Sequence, residues 1–169
     1  MNIKSLLAAT FAVASMSMLS MAQTRTIEHE YSEFDAISVS DGFKVSFVES
    51  DGYSAKFKVN DAFESYVQCY VKAGTLYIGV DDKSIPKEVK KSFKGKNSDD
   101  PVLEATVYVP SLKAVTLSDN CTFSCDKDIN APKFTLELSG TSSVSNLNIH
   151  VAESAVITVS KKAKLSSVN

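Results

Sequence analysis

The sequence predicts an all-β protein whose C-terminal part is a β-solenoid, with coils of about 21 residues and a variant N-terminal part. One motif occurs three times: apolar, any residue, apolar, Ser, four variable residues, apolar, Ser. Its copies begin at Val115, Leu136 and Ile157, so each starts 21 residues after the last. A fixed period in this range is typical of solenoids, in which one repeat forms one coil. The four prolines all fall where we expect breaks between strands, which agrees with an all-β fold: Pro86, Pro101, Pro110 and Pro132.

Residues 1–22 have the features of a signal peptide. Lys4 supplies a positive charge, an apolar run follows from Leu6 to Ala14, and Ser20-Met21-Ala22 provides small residues for the peptidase. We expect cleavage between Ala22 and Gln23. The alternative is a membrane anchor, but the run to Met21 is short for a span and is diluted by serines. Residues 23–169 then form one domain, with no further segment that could cross a membrane.

The N-terminal half of this domain contains segments that alternate apolar and polar residues, as half-buried strands do. The repeat motif occurs here too, from Ile37, which is 78 residues before Val115. Because 78 is not a multiple of 21, this part is a variant of the repeat with insertions. Asp41-Gly42 marks a tight turn within it. Strands are predicted over 24–31, 44–49, 55–59, 66–71, 75–80 and 103–109.

Residues 81–101 interrupt the strands and form a charged insertion loop. Pro86 could begin a short helix that carries Val89 and Phe93, with Gly95 just past its end. The loop is rich in lysine. A basic patch for an anionic glycan is one interpretation, and a solvated loop is the simpler one. The candidate ligand patch consists of Lys87, Lys90, Lys91, Lys94 and Lys96.

Stacked coils would bring equivalent side chains of the three copies into inward ladders. The first ladder is Val115, Leu136 and Ile157; the second is Leu117, Leu138 and Val159; the third is Phe123, Val144 and Leu165. Serines at 118, 139 and 160 would satisfy backbone groups in the turns. Each buried aliphatic side chain contributes roughly 1.5–3 kcal/mol, so nine such positions would form a substantial core. A β-sandwich with chance spacing is the competing fold.

Three cysteines, an odd number, occur at positions 69, 121 and 125. Cys121 and Cys125 could form a disulfide only if the chain between them turns, because an extended strand would hold them too far apart. Cys69 could also pair with either. In the simpler interpretation Cys121 fills a narrow inward position, since it aligns with Ser142 and Ala163 in the next two copies.

Composition excludes several classes of function. The 18 basic and 20 acidic residues leave a slightly negative chain, so no nucleic-acid partner is expected. His29 and His150 do not lie at ligand spacing from a cysteine, so neither a metal site nor a cofactor is expected. Paired carboxylates for glycoside hydrolysis would have to come from Asp81-Asp82 or Asp99-Asp100, which are adjacent acids at loop edges. We therefore predict no catalytic residues and no enzyme.

The order of several short motifs resembles one known family. These are Phe34-x-x-Ile37-x-Val39, Val71-x-x-Gly74-x-Leu76-x-Ile78, Val107-x-Val109-Pro110-x-Leu112, and Leu136-x-Leu138-Ser139-Gly140-Thr141-Ser142. They are similar to the putative auto-transporter adhesin, head GIN domain family of exported bacterial proteins. The resemblance implies a right-handed β-solenoid at or near the cell surface. Members of this family tend to have a Ser-Gly pair at the turns. Two turns of this chain depart from that pattern: Ser118-Asp119-Asn120 and Ser160-Lys161-Lys162.

Three functions are weighed on this basis. The leading one is a non-enzymatic, exported, adhesin-like binding module of the cell envelope, located in the periplasm, at the cell surface or outside the cell. Its partner would be a surface glycan or another envelope protein. The alternatives are a carbohydrate-active β-helix enzyme, by analogy of fold alone, and a structural envelope protein that associates with itself through its exposed coil ends.

Overall fold

The computed structural model describes residues 23–93 and 100–168, and the strands within them form two sheets. The strands are β1 (Thr24–Glu30), β2 (Ala36–Val39), β3 (Lys44–Glu49), β4 (Ser54–Asn60), β5 (Val67–Lys72), β6 (Thr75–Val80), β7 (Leu103–Val109), β8 (Ala114–Leu117), β9 (Thr122–Cys125), β10 (Ile129–Leu138), β11 (Ser143–Leu147), β12 (Ile149–Val159) and β13 (Lys164–Val168). A 3₁₀ turn spans Glu64–Tyr66, and the helix α1 spans Lys87–Ser92. This helix begins directly after Pro86, as the sequence predicts.

The two sheets face each other, and the core lies between them. The seven-stranded sheet has the order β1-β4-β7-β3-β9-β11-β13, and the six-stranded sheet has the order β12-β10-β8-β2-β6-β5. Strict alternation explains which side chains are inside. In β7, for example, residues 103, 105, 107 and 109 are buried and the residues between them are half-buried. Large aromatic side chains such as Phe43 and Phe57 meet edge to face in this core, with ring centroids 6.3 Å apart.

The spacing of the repeats is confirmed as strand register. In the six-stranded sheet Val115 pairs with Leu136, and Leu136 pairs with Ile157, in parallel strands. In the seven-stranded sheet Phe123 pairs with Val144, and Val144 with Leu165. The 78-residue offset also corresponds to strand pairing, because β2 lies parallel to β8 with Ile37 opposite Val115. Four strand pairs are therefore equivalent rungs: β2/β3, β8/β9, β10/β11 and β12/β13.

The prediction of a right-handed β-solenoid is wrong. The strands form two mixed sheets that contain parallel and antiparallel pairs, and in neither sheet does the strand order follow the chain. Three antiparallel pairings, β1 with β4, β4 with β7 and β5 with β6, account for the difference. Alternation of apolar and polar residues shows that a segment is a strand, but it does not show whether that strand stacks in parallel or folds back. The broader prediction of an all-β protein is correct.

Serine and glycine shape the turns that join the two sheets at one end of the rungs. The backbone N–H and the hydroxyl of Ser139 donate to the Leu117 carbonyl at 2.9 Å and 3.2 Å. Ser118 does the same toward the Val39 carbonyl, at 2.9 Å and 3.3 Å. Each turn is thus hydrogen-bonded to the last residue of a strand in the preceding rung, where the hydrogen bonds between strands would otherwise stop. We call this end the serine end.

Candidate functional site

A cleft of about 350 Å³ opens at the end of the sheets opposite the serine end. Strands β2, β6 and β8 begin here and β7 ends here, so the loops around these strand ends meet. The lining combines one tyrosine, three charged side chains, a serine hydroxyl and apolar walls. Its members are Glu33, Phe34, Asp35, Tyr53, Gly74, Val109, Pro110, Ser111 and Lys113. We call this the loop cleft.

Backbone hydrogen bonds fix the three loops that contribute most to the loop cleft. The Asp35 N–H donates to the Gly74 carbonyl at 3.1 Å, and the Lys113 N–H donates to the Asp35 carbonyl at 2.7 Å. Ala73 and Gly74 both have positive φ, 50° and 74°, so the hairpin between β5 and β6 turns tightly at this point. The positions of Asp35 and Lys113 are therefore set by the ends of the strands and not by mobile loops.

An ion pair crosses the loop cleft. Lys113 Nζ lies 2.5 Å from Asp35 Oδ2, and the two side chains are 51% and 45% exposed. The hydrogen bond from the ammonium to the Asp35 carboxylate raises the pKa of Lys113, so the lysine stays charged at neutral pH. Because both groups face water, the pair adds little to stability. Its importance is that it places a donor and an acceptor side by side on an accessible surface.

Tyr53 forms an aromatic wall of the loop cleft. Its ring packs edge to face on the buried Phe34, with centroids 5.7 Å apart and an interplanar angle of 62°. Its carbonyl accepts a hydrogen bond from the Tyr31 N–H at 2.8 Å. The tyrosine is half-buried, so one side of the ring is anchored in the core and the rest remains accessible. A rigid aromatic ring beside convergent polar groups is the usual composition of a small-ligand site.

The predicted lysine patch is only partly within the described residues. Lys87, Lys90 and Lys91 lie on α1, whereas Lys94 and Lys96 lie outside the described ranges. Lys90 Nζ is paired with Asp82 Oδ2 at 2.7 Å, which offsets one of the three positive charges. The helix is anchored by Phe93, whose ring meets Phe63 with centroids 5.0 Å apart. A small apolar cavity of about 200 Å³ lies beneath it.

The three cysteines are free thiols in the structure. Cys121 and Cys125 flank and end the extended strand β9, so their α-carbons are about 13 Å apart at the usual rise per residue. That is about twice the reach of a disulfide. Cys121 is fully buried and occupies the same inward position as Ser142, which is also buried. Burial raises the pKa of Cys121 and of Cys69 to about 11.

Two further observations concern the described residues alone. No group of three or more His, Cys, Asp or Glu side chains is arranged there to hold a metal ion. None of the helices described has the length and apolar character needed to cross a membrane. The expected cleavage site falls at the edge of the described range: Ala22 lies outside it, and Gln23 is its first residue.

The sequence reasoning missed the loop cleft, because its residues come from four separate loops. The spacing of the repeats could have revealed the ion pair between Asp35 and Lys113. Asp35 and Lys113 are 78 residues apart and immediately precede the paired residues Ala36 and Ala114. The same offset that relates the repeat motif at Ile37 to that at Val115 thus brings the acid beside the base.

The family resemblance is confirmed by comparison with known proteins. The model of the putative auto-transporter adhesin, head GIN domain family matches residues 33–169. A search of curated proteins found none with significant similarity to this chain.

Solved structures share the fold. A putative adhesin from Parabacteroides merdae has a TM-score of 0.64 and 14% identity, covering 88% of this chain and 59% of its own. A putative adhesin from Bacteroides fragilis has a TM-score of 0.59 and 18% identity, covering 82% of this chain and 62% of its own. A putative lipid binding protein from Parabacteroides distasonis has a TM-score of 0.51 and 19% identity, and the match covers 87% of this chain and 63% of that protein. This chain therefore spans about three fifths of the length of each of these proteins.

Proposed function

Because the chain belongs to the putative auto-transporter adhesin, head GIN domain family, we propose that it is an exported, non-enzymatic binding module of the bacterial cell envelope that holds an uncharged glycan in the loop cleft. One observation carries the proposal. The ring of Tyr53 and the Asp35–Lys113 ion pair share a single open depression, on loops whose backbone is fixed by the strand ends.

The chemistry of the loop cleft favours a sugar. A pyranose ring presents an apolar C–H face that suits an aromatic ring, and hydroxyl groups that both donate and accept hydrogen bonds. Asp35 and Glu33 supply acceptors, Lys113 supplies donors, and the Ser111 hydroxyl does both. Two acids and one lysine give the cleft a net negative charge, so a sulfated or uronic-acid glycan would be repelled.

Binding suits this arrangement better than catalysis. Glycoside hydrolysis needs one carboxylic acid that is protonated beside another that is ionised. In the loop cleft the Asp35 carboxylate accepts a hydrogen bond from the Lys113 ammonium at 2.5 Å, an arrangement that serves hydrogen bonding to a ligand rather than proton transfer. The described histidine nearest to an acid, His150, contacts Asp128 on an exposed surface outside the cleft. An adhesin-like role therefore requires only the groups that the cleft already contains.

A glycan array with matched variants tests the site. We expect the native protein to bind uncharged glycans and Tyr53→Ala to bind at least tenfold more weakly, because the aromatic wall is lost. Lys113→Gln and Asp35→Asn keep the shape of the cleft and should each weaken binding. The control is Tyr70→Ala, since Tyr70 is 50% exposed and stacks on Tyr77 away from the cleft. Thermal melts show whether each variant is folded.

The array also separates the competing ligands. Binding of anionic glycans that is lost in Lys87→Gln/Lys91→Gln would assign the site to the lysine patch and overturn the cleft proposal. A blank array together with binding to phospholipid vesicles would replace the glycan by a lipid. Binding of uncharged glycans that Tyr53→Ala leaves intact would remove the loop cleft from the function.

Export is tested separately from the ligand. We expect N-terminal sequencing of the protein from the cell envelope to begin at Gln23, with residues 1–22 removed. Protease added to intact cells should digest a surface-exposed protein without lysis. Protection until the outer membrane is opened would place the protein in the periplasm and would argue against adhesion to other cells.

A further inference from the structure

The last rung, β12/β13, leaves one end of both sheets open. β12 and β13 are edge strands of the six-stranded and seven-stranded sheets, and they lie at the same end of the core. Inward side chains of β12 are partly uncovered, whereas Leu165 of β13 is half-buried against the core. Ile157 and Val159 are each 41% exposed, whereas Leu136 and Leu138, their partners in β10, are 0% and 2% exposed. Val156, on the outer face of β12, is 55% exposed.

The other sheet edges carry the protections that soluble proteins use against edge pairing. β1 bears Arg25, Glu28 and Glu30, all exposed. β5 is six residues long and ends in an exposed lysine. In contrast, β12 is eleven residues long, and its stretch from Ser154 to Val159 contains no charged residue. An edge strand with an uncharged stretch of this length and exposed β-branched side chains is a template for pairing with another strand.

We propose that two copies of this chain associate through this end, with β12 antiparallel to β12 of the partner and Ile157 on the two-fold axis. A two-fold interface must be complementary to itself. This register meets that requirement: Ile157 faces Ile157 of the partner subunit, and Ala155 faces Val159 of the partner subunit. The side chains of residues 155, 157 and 159 lie on the inner face of β12, opposite the inward residues of β10, so the dimer extends the core across the interface.

Charge selects the same register. Glu153 lies four residues before Ile157, within β12, and Lys161 lies four residues after it, in the turn that follows β12. Antiparallel pairing about Ile157 therefore brings the glutamate of each copy toward the lysine of the other. Glu153 is 58% exposed and already lies 3.2 Å from Lys133 Nζ, so in the dimer it would stand between two lysines. Lys161 has no ion pair within the described part of the chain. The two ends of the β12 edge thus carry opposite charges. Because the dimer is two-fold symmetric, antiparallel pairing brings a glutamate and a lysine together at both ends of the interface. In a parallel, in-register arrangement, Glu153 would face Glu153 of the partner subunit, and Lys161 would face Lys161 of the partner subunit, so like charges would meet.

Sedimentation velocity over a range of protein concentrations tests the proposal on the exported protein. We expect a reversible monomer–dimer equilibrium. Ile157→Lys would place two ammonium groups on the axis and should weaken the dimer at least tenfold. The matched control is Val48→Lys, because Val48 is also 41% exposed but lies on β3, inside the seven-stranded sheet. This variant should associate like the native protein.

A charge exchange tests the register even if Ile157→Lys fails to fold. Lys161→Glu alone should weaken the dimer, and Glu153→Lys together with Lys161→Glu should restore it. Ile157→Cys should form a disulfide-linked dimer under mild oxidation, whereas Val48→Cys should not. The proposal is overturned if the native protein is monomeric at all concentrations, if Ile157→Lys dimerises normally, or if the double exchange gives no recovery.

Discussion

Gly140 lies directly against the backbone of Asp119 in the turn of the neighbouring rung. A β-carbon on Gly140 would stand 2.8 Å from both the N and the Cα of Asp119, and closer still to its carbonyl oxygen. Gly140 also has a φ of 64°, in the left-handed region. The Asp119 carbonyl accepts hydrogen bonds from the Thr141 N–H at 2.5 Å and from the Thr141 hydroxyl at 3.1 Å. Glycine is therefore required here by close approach as well as by conformation.

Gly140→Ala is expected to destabilise the protein by about 2 kcal/mol or more, because the left-handed conformation and the clash both penalise a β-carbon. Urea unfolding measures the loss. Gly52→Ala is the control: nothing lies within 4 Å of the added methyl group, so the change should stay within about 0.5 kcal/mol. Equal effects of the two substitutions would show that the turns do not pack as described.

Truncation to alanine should cost very different amounts of stability at different positions of the ladder formed by Val115, Leu136 and Ile157. Leu136→Ala opens a cavity in the closed part of the core, where the side chain is 0% exposed, and should cost about 2–5 kcal/mol. Ile157→Ala, at the next position of the same ladder, should cost less than about 1 kcal/mol at protein concentrations too low for dimers. The midpoints of urea unfolding compare the two. A large loss for Ile157→Ala in the monomer would mean that the last rung is covered.

The narrow position filled by Cys121, Ser142 and Ala163 should accept small residues only. Ser142 is 0% exposed and its hydroxyl donates to the Ser139 carbonyl at 2.6 Å. Ser142→Cys copies the residue of the preceding rung and should be tolerated, whereas Ser142→Leu overpacks the position and should cost about 1–3 kcal/mol. Thermal unfolding of both variants tests this. A stable Ser142→Leu would contradict the packing.

The thiols should react slowly in the folded protein. Burial raises the pKa of Cys69 and Cys121 to about 11 and also raises that of Cys125, so little reactive thiolate exists at pH 8. Alkylation followed by mass spectrometry should show slow labelling of native protein at pH 8, faster labelling as the pH approaches 11, and three labels after unfolding without reductant. A single label after unfolding would indicate a disulfide.

The same shift links these thiols to stability. A thiol whose folded pKa is raised is held in its protonated form by the fold, so its contribution is complete below the unfolded value of about 9. The folded protein binds more protons than the unfolded chain between pH 9 and pH 11, and the free energy of unfolding should fall across that range. Cys121→Ala should flatten this decline. An unchanged slope in urea titrations would rule out Cys121 as a contributor.

Particular residues show what the sequence could and could not reveal. The repeat motif gave the correct partners Val115, Leu136 and Ile157, because equal spacing becomes register wherever strands stack in parallel. It could not show that β4 inserts beside β7 as an antiparallel strand, since alternation is the same in either direction. The loop cleft was missed because Tyr53 and Ser111 belong to no motif. The exposure of Ile157 was also missed, because the pattern marks a residue as inward without showing whether anything covers it.

The 78-residue offset between β2 and β8 has a consequence for the order of folding. Rungs in the C-terminal part pair residues 21 positions apart, whereas the first rung can join them only after the chain from β3 to β7 has been enclosed. Closing a flexible segment nearly four times longer costs about 1 kcal/mol more in chain entropy. Contacts between nearby residues also form faster. We therefore expect pulse-labelling hydrogen exchange to protect β10 before β2, so that the C-terminal repeats act as the template on which the N-terminal strands assemble; simultaneous protection would contradict this.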